Sequence, residues 1–488
     1  MRKSYERQLR FGATPIASLQ LNLNCRDEII PLLVALRHVY LNQSLRIRLT
    51  KLIAADVSRG KRRDTGRPAF DDWQVLVLAV MRSNCNLDYD KLQDLAENHL
   101  SLRTMLGVEG WDQDVSFDFR RIRNALTDLK PRTVDRISQI VVRYGQELHG
   151  NAASTARADS FVIETEIHYP TESSLMYDGM RKVIPLAEEL ASELGLTGWR
   201  QSQYLLKRIK KLHRAINQLS ASRIVKKKEA MDSLYCDMID RVTMLLDRAK
   251  TLKKQVPCGG SGLALSLKAQ RLGHWIDLTD QVRGTAYRRI VLGETVPNSE
   301  KLFSLFETHT QLYQRGKAGE PVQYGRLAMI FEDGAGFISH YHLLDRDATD
   351  LSIVVEQTAQ AQKRHGGELA SLSLDRGFHS SDNIEGLRRL VENVSCPSRN
   401  SKQYAEEVAT ETEQSRRRRH RHSGVESSIG ALQRGNGLKR CRDRSELGME
   451  RYLGLAVLGR NLQVLGKLLI AQEAPDSLAA ISERQAAA

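Results

Sequence analysis

The feature that most narrows the fold is a change of period near residue 322. Downstream of it, QYGRLAMIFED (323–333) and GFISHYHLL (336–344) read as two strands. Asp333-Gly334-Ala335-Gly336 joins them with the composition of a hairpin turn. DATDLSIVVEQTAQAQKRH (347–365) follows with helical spacing and stops at Gly366-Gly367. LASLSL (369–374) is then a short strand that delivers Asp375 at its end, and VENVSC (391–396) is another. SRRRRHRHSGVESSIGALQRG (415–435) reads as a basic helix containing Glu426, and an apolar helix over about 449–470 would cover the sheet. Far upstream, RADSFVI (157–163) has the look of a strand entering a core, with Asp159 on it.

Strand, hairpin, helix, strand, then strand and helix is the element order of an RNase H-like α/β domain. In such a mixed sheet the first strand and the strand after the first helix lie side by side. An acid on the first and an acid ending the second converge, and a third acid on a later helix leans in from the edge. Asp159, Asp375 and Glu426 occupy those positions. Three carboxylates suit phosphodiester chemistry, in which two divalent ions about 3.5–4 Å apart activate a water or 3′-hydroxyl and stabilise the leaving oxygen. Mg²⁺ (or Mn²⁺) takes hard oxygen ligands and keeps several waters, so a few carboxylates suffice. The three acids are therefore candidate catalytic residues and candidate ligands of two ions. Two of them have a plainer alternative: Asp159 as a turn cap, Glu426 as an ion-pair partner of Arg419 or Arg421.

The rest of the chain is mostly helical. In residues 1–150 the reading places helices in FDDWQVLVLAVMRSN, LDYDKLQDLAENH and FDFRRIRNALTDL, the last capped by Ser116 and ended before Pro131. Short helices with a basic third member suit a helix-turn-helix-like DNA reader over 68–130, its face carrying Arg120, Arg121 and Arg123; a plain helical bundle fits the spacing equally well. Residues 59–67 read as a basic linker. Residues 181–317 read as a long helical insertion between 151–180 and 318–472, the two parts of the catalytic domain, with a frayed tail at 473–488. Within the insertion, Leu205, Ile209, Leu212, Ile216 and Leu219 form one apolar stripe. Met231, Leu234, Met238, Val242, Leu245, Ala249 and Leu252 form another, so an antiparallel hairpin or coiled-coil seam is expected.

Charge bears on partners. Lys and Arg number 73 against 59 Asp and Glu, a net +14. Between 415 and 444 ten Lys and Arg stand against two acids, one of them Glu426. Residues 200–254 hold fifteen Lys and Arg against five acids, enough to touch a DNA backbone. Arg419, Arg421, His422, Arg434 and Lys439 are candidate phosphate contacts around the third acid. The six cysteines show no CxxC pair, which argues against a zinc ribbon or a disulfide framework. No apolar run approaches the ~20 residues of a membrane helix, and no signal peptide is evident. The expectation is a cytoplasmic, nucleoid-associated protein without a membrane partner.

At these residues the chain resembles bacterial insertion-sequence DDE transposases of the ISNCY-like group. ADSFVIETEIHYPTESSLMYDG (158–179) is similar to the family's first-acid strand with its Tyr-Pro-Thr run. SEKLFSLFETHTQLYQRGKAGEPVQYG (299–325), LSLDRGFHSSDN (372–383) and RHSGVESSIGALQRGNGLKRCRDR (421–444) resemble three further segments in family order. The resemblance implies cleavage at terminal inverted repeats, joining of 3′ ends to target DNA, and a homodimer or larger assembly on DNA. It implies Asp159, Asp375 and Glu426 as metal ligands. Where related enzymes carry Tyr, Arg and Lys around the third acid, this chain has Arg419, His422 and Gln433, with Arg434 beside the last. A structure-specific nuclease on the same fold, or a non-catalytic DNA-binding descendant, are the alternatives. His168, His340, His342 and His379 read as structural, Asp178 and Glu164 as minor candidates near the first acid, and Asp345, Asp347 and Asp350 as caps of the following helix.

Overall fold

A computed structural model describes residues 14–25, 27–58, 69–108, 116–150, 152–220, 225–256, 262–314, 321–402, 404, 409 and 412–473. The expected basic linker at 59–67 and almost all of the expected tail lie outside them. Contacts group the chain into two units: Met1–Glu164 with Arg326–Ala488, and Thr165–Gly325.

The first unit opens with helices α1 (Ile29–Leu41), α2 (Gln43–Val57), α3 (Asp72–Asn84), α4 (Tyr89–Asn98), α5 (Leu100–Met105), α6 (Phe119–Thr127) and α7 (Pro131–Leu148). Local chemistry sets their starts. Asp71 and Gln74 close a reciprocal capping box on α3, Asp88 caps α4, and Pro131 opens α7. The cap of α6 is Asp118 rather than Ser116: its carboxylate accepts the Arg121 N–H at 3.0 Å, so the helix begins later than expected. Every residue of α3 except Gln74 is buried, which makes it the central helix of this group.

Strand β1 (Thr155–Thr165) ends where the second unit begins. That unit holds α8 (Glu172–Glu193), α9 (Ser202–Ser220), α10 (Val225–Lys254), α11 (Leu263–Ile290) and the short strand β2 (Gln311–Tyr313). The expected α9–α10 pairing is present, but α8 and α11 complete a four-helix arrangement with one core. Met180, Ile184, Ile209, Ile216, Met238, Val242, Leu245 and Ile276 share it. The unit spans 165–325 rather than 181–317. Thr171 and Ser174 close a capping box that starts α8 soon after β1, and the apolar face of α8 belongs to the helical core. On α9, Lys207, Arg208, Lys210, Lys211 and Arg214 face solvent.

The chain returns along β3 (Gln323–Asp333), whose first residues pair with β2, Gln323 opposite Tyr313. Then come β4 (Ile338–Leu343), α12 (Asp350–Arg364), β5 (Ser371–Leu374), α13 (Ser381–Arg388) and β6 (Asn393–Ser395). They are followed by the helix Glu413–Arg434, the two-residue strand β7 (Arg440–Cys441) and the C-terminal helix Glu446–Glu473. The sheet is mixed: β3 and β4 are antiparallel, while β5 is parallel to both β1 and β6. β3 stands beside β1, and β7 also pairs with β1. In the hairpin, buried Asp333 accepts the N–H groups of Ala335 and Phe337, each at 3.0 Å, and Gly336 turns the chain with φ +89. Thr349 caps α12; Asp345 and Asp347 are outside the helix, and Asp350 is in its first turn.

The C-terminal helix does more than cover the sheet. Met449, Leu453 and Val457 lie in the core against Phe161, Ile330 and Ile338 of the strands. Leu458, Leu462 and Leu465 lie in a second core with Leu32, Leu36, Leu76 and Ile137 of α1, α3 and α7. An all-round apolar helix belongs in an interior. By length and composition it passes for a membrane span, but 67% of that window is buried in the protein. Because of this helix the expected N-terminal domain and the sheet form one compact unit rather than two.

Candidate functional site

The parallel pairing of β1 and β5 runs from Thr155 opposite Ser371 to Ala158 opposite Leu374. The next residues along the two chains are Asp159 and Asp375. Asp159 is half-buried, and its Oδ1 accepts the Ser160 N–H at 2.7 Å. Asp375 is exposed and caps the short turn Arg376–Phe378, accepting the Arg376 N–H at 2.7 Å.

Glu426 lies exposed on the helix Glu413–Arg434. One turn earlier on the same face, His422 Nδ1 meets Ser373 Oγ of β5 at 3.1 Å. Burial lowers the His422 pKa, against the charges of Asp375 and Glu426, which pull it up.

A latch holds this helix. Arg157, on β1, donates from Nε to Glu332 Oε2 of β3 at 2.9 Å and from a terminal nitrogen to the Arg421 carbonyl at 2.8 Å. Ser428 donates to the other Glu332 oxygen at 2.7 Å. Gly424 leaves room for the guanidinium: a Cβ there would stand 2.0 Å from an Arg157 nitrogen. Beneath, Val425, Ile429 and Leu432 bury the apolar face of the helix. Arg157 and Asp159 share a face of β1, two residues apart. The sequence reading missed Arg157, Glu332 and Ser373; the one local signal was an arginine two residues before the acid on β1.

Of the expected phosphate contacts, Arg421, Arg434 and Lys439 are exposed, and Arg419 is half-buried near the Tyr404 hydroxyl at 3.3 Å. His422 is half-buried, its Nδ1 meets Ser373 Oγ, and burial lowers its pKa. Arg120 and Arg123 are exposed on α6, and Arg121 lies over the Phe70 ring, 5.0 Å from its centre. Glu164 pairs with Arg440 at 3.2 Å, and Asp178 is held by His168 at 2.6 Å and Arg181 at 3.2 Å. Both minor candidates are thus committed to ion pairs.

Among the described residues no group of three or more His, Cys, Asp and Glu side chains is placed to hold a metal ion. Asp159 and Asp375 follow the paired ends of β1 and β5, and Glu426 lies on the helix that bonds to both strands through Arg157 and His422.

His340 is structural, as expected. It is buried, its Nε2 meets Gln357 Oε1 at 2.9 Å, and burial pushes its pKa down to about 3. Its folded pKa is depressed, so its contribution is complete above the unfolded value near 6.5 and is lost as pH falls toward 3. Urea unfolding between those pH values should show stability falling by on the order of 2–4 kcal/mol from this group. His340→Gln should flatten that slope, and an equally steep slope in the variant would refute the assignment.

Comparison with protein-family models, with curated proteins and with solved structures gives no match.

Proposed function

We propose that the chain is a metal-dependent DNA transposase with an RNase H-like catalytic domain, cleaving the ends of an element at terminal inverted repeats and joining the 3′ ends to target DNA. The observation that carries the reading is the β1–β5 register, which sets Asp159 beside Asp375, with the Glu426 helix docked on the same strands. Asp159, Asp375 and Glu426 would hold Mg²⁺ or Mn²⁺. Bound divalent ions supply activation of the attacking oxygen and stabilisation of the leaving one. The chain's own residues do the rest. Arg157 fixes the helix, His422 bonds it to Ser373 of β5, and exposed Arg421, Arg434 and Lys439 would attract phosphates. Such a protein would act in the cytoplasm on nucleoid DNA, as a dimer or larger assembly.

Asp159→Ala, Asp375→Ala and Glu426→Ala should each lower cleavage of an end-containing duplex about a thousandfold, the loss of several kcal/mol of charge stabilisation. Full cleavage by all three variants would sink the proposal. Cleavage without joining of pre-cut ends would reassign the chain as a nuclease on the same scaffold.

A further inference from the structure

We infer that a cationic groove at the far end of the sheet from the acids is a second docking surface for a nucleic-acid backbone. The groove has a volume of about 640 Å³ and lies between α2, α7 and α12. Arg48, Arg136, Arg143, Lys363 and Arg364 line it, and Glu147 is the one acid among its lining residues. Its floor reaches Ser339, which bonds His365 at 2.7 Å; His365 in turn meets the Ala153 carbonyl, just before β1 begins. The groove therefore lies where β1 and β5 start. Asp375 follows the last residue of β5, four strand residues or about 13 Å further on.

Some of this charge is already spent. Arg364 makes a two-pronged bond to Asp135 at 2.8 and 3.0 Å, and Arg143 faces Glu147 at 4.0 Å. Lys363 and Arg364 also complement the C-terminal end of the α12 dipole. That does not account for Arg48 and Arg136, on two other helices. Arg48, Arg136 and Lys363 are exposed and have no ion-pair partner among the described residues. Three uncompensated cations converging on one groove repel each other, and an anion that bridges them relieves the repulsion.

The lining fits nucleic acid better than an acidic protein. Guanidinium forks match phosphate oxygens, and Arg136 and Arg143, two turns apart on α7, present charge over about 10.5 Å. A protein partner concentrates its binding in apolar anchors seated in pockets. Here Leu45 and Val142 are buried, and Leu52, Ile140 and Tyr144 are half-buried, while Arg48, Arg136, Arg143 and Lys363 are exposed.

The inference depends on the transposase reading only for the identity of the polyanion, and binding tests it apart from catalysis. The full chain is titrated into a short labelled duplex of arbitrary sequence at salt concentrations from about 0.05 to 0.2 M. Arg48→Gln/Arg136→Gln/Lys363→Gln should weaken binding about tenfold or more and make the log–log salt slope shallower by about 2–3. The charge-conserving Arg48→Lys/Arg136→Lys/Lys363→Arg should keep the wild-type slope, which separates lost charge from lost fold. Asp375→Ala should abolish cleavage yet leave the slope untouched, so either reading can fail alone. An unchanged affinity and slope in the glutamine variant would overturn the inference. So would binding of polyglutamate, but not of the duplex, that depends on these three residues.

Discussion

Gly466→Ala should destabilise the protein by about 3 kcal/mol or more, a large share of the ~5–15 kcal/mol that holds a typical domain together. Gly466 is the point where the C-terminal helix meets the first turn of α1. A Cβ there would stand 1.8 Å from the Pro31 carbonyl oxygen and 2.5 Å from its carbon. Those are backbone atoms and cannot rotate aside, so two packed helices must separate, and both are lined with core residues on the contact face. Gly454 offers an internal comparison. Its added Cβ would meet the tip of the Tyr341 side chain at 2.8 Å, which has more freedom to yield. Urea midpoints should therefore fall much further for Gly466→Ala than for Gly454→Ala. A Gly466→Ala midpoint equal to wild type would show that the helices do not approach this closely.

Arg157→Met should cost both stability and activity. Glu332 is 2% exposed. Removing the arginine leaves a buried carboxylate held by Ser428 alone among the groups bonded to it here, and breaking such a pair from one side typically costs about 3–5 kcal/mol. The same change frees the Arg421 carbonyl, so the helix that carries Glu426 loses its tie to β1. Adding Glu332→Gln removes the stranded charge and should recover much of the stability. It does not restore the bond to the helix, so cleavage by the double variant should stay low while its unfolding midpoint rises. That split distinguishes a positioning role from a purely structural one. Wild-type cleavage and an unshifted midpoint in Arg157→Met would remove the latch from the account.

The acids' neighbourhood was legible in sequence because period and order carry it. QYGRLAMIFED and GFISHYHLL announce a hairpin, LASLSL ends at Asp375, and the element order anticipates β5 beside β1. What holds Glu426 was not legible. Arg157 and Glu332 are far apart in sequence, and an acid inside an apolar strand does not say which arginine it meets. His422 sits in a run of arginines and reads as one more cation; its half-burial and its contact with Ser373 of β5 were not visible in that run. The cap of α6 was misplaced because Ser116 and Asp118 are both good caps, and tertiary packing chose between them. The C-terminal helix illustrates another limit. A helix that is apolar all round has no preferred face, so its pattern cannot tell whether its partners are strands or distant helices.

That last helix also dictates an order of events during synthesis. Residues 165–325 pack largely among themselves and can condense as soon as they have left the ribosome. The helices α1, α3 and α7 cannot: Leu36, Leu76 and Ile137 share their core with Leu458, Leu462 and Leu465, which emerge hundreds of residues later. Until then the nascent chain carries uncovered apolar helix faces, the kind of surface that chaperones recognise. Glu426 and the helix that seals the core behind it also follow the middle unit in the chain. A ribosome-bound chain would thus already hold a finished middle unit while the segments bearing Asp375 and Glu426 were still unformed.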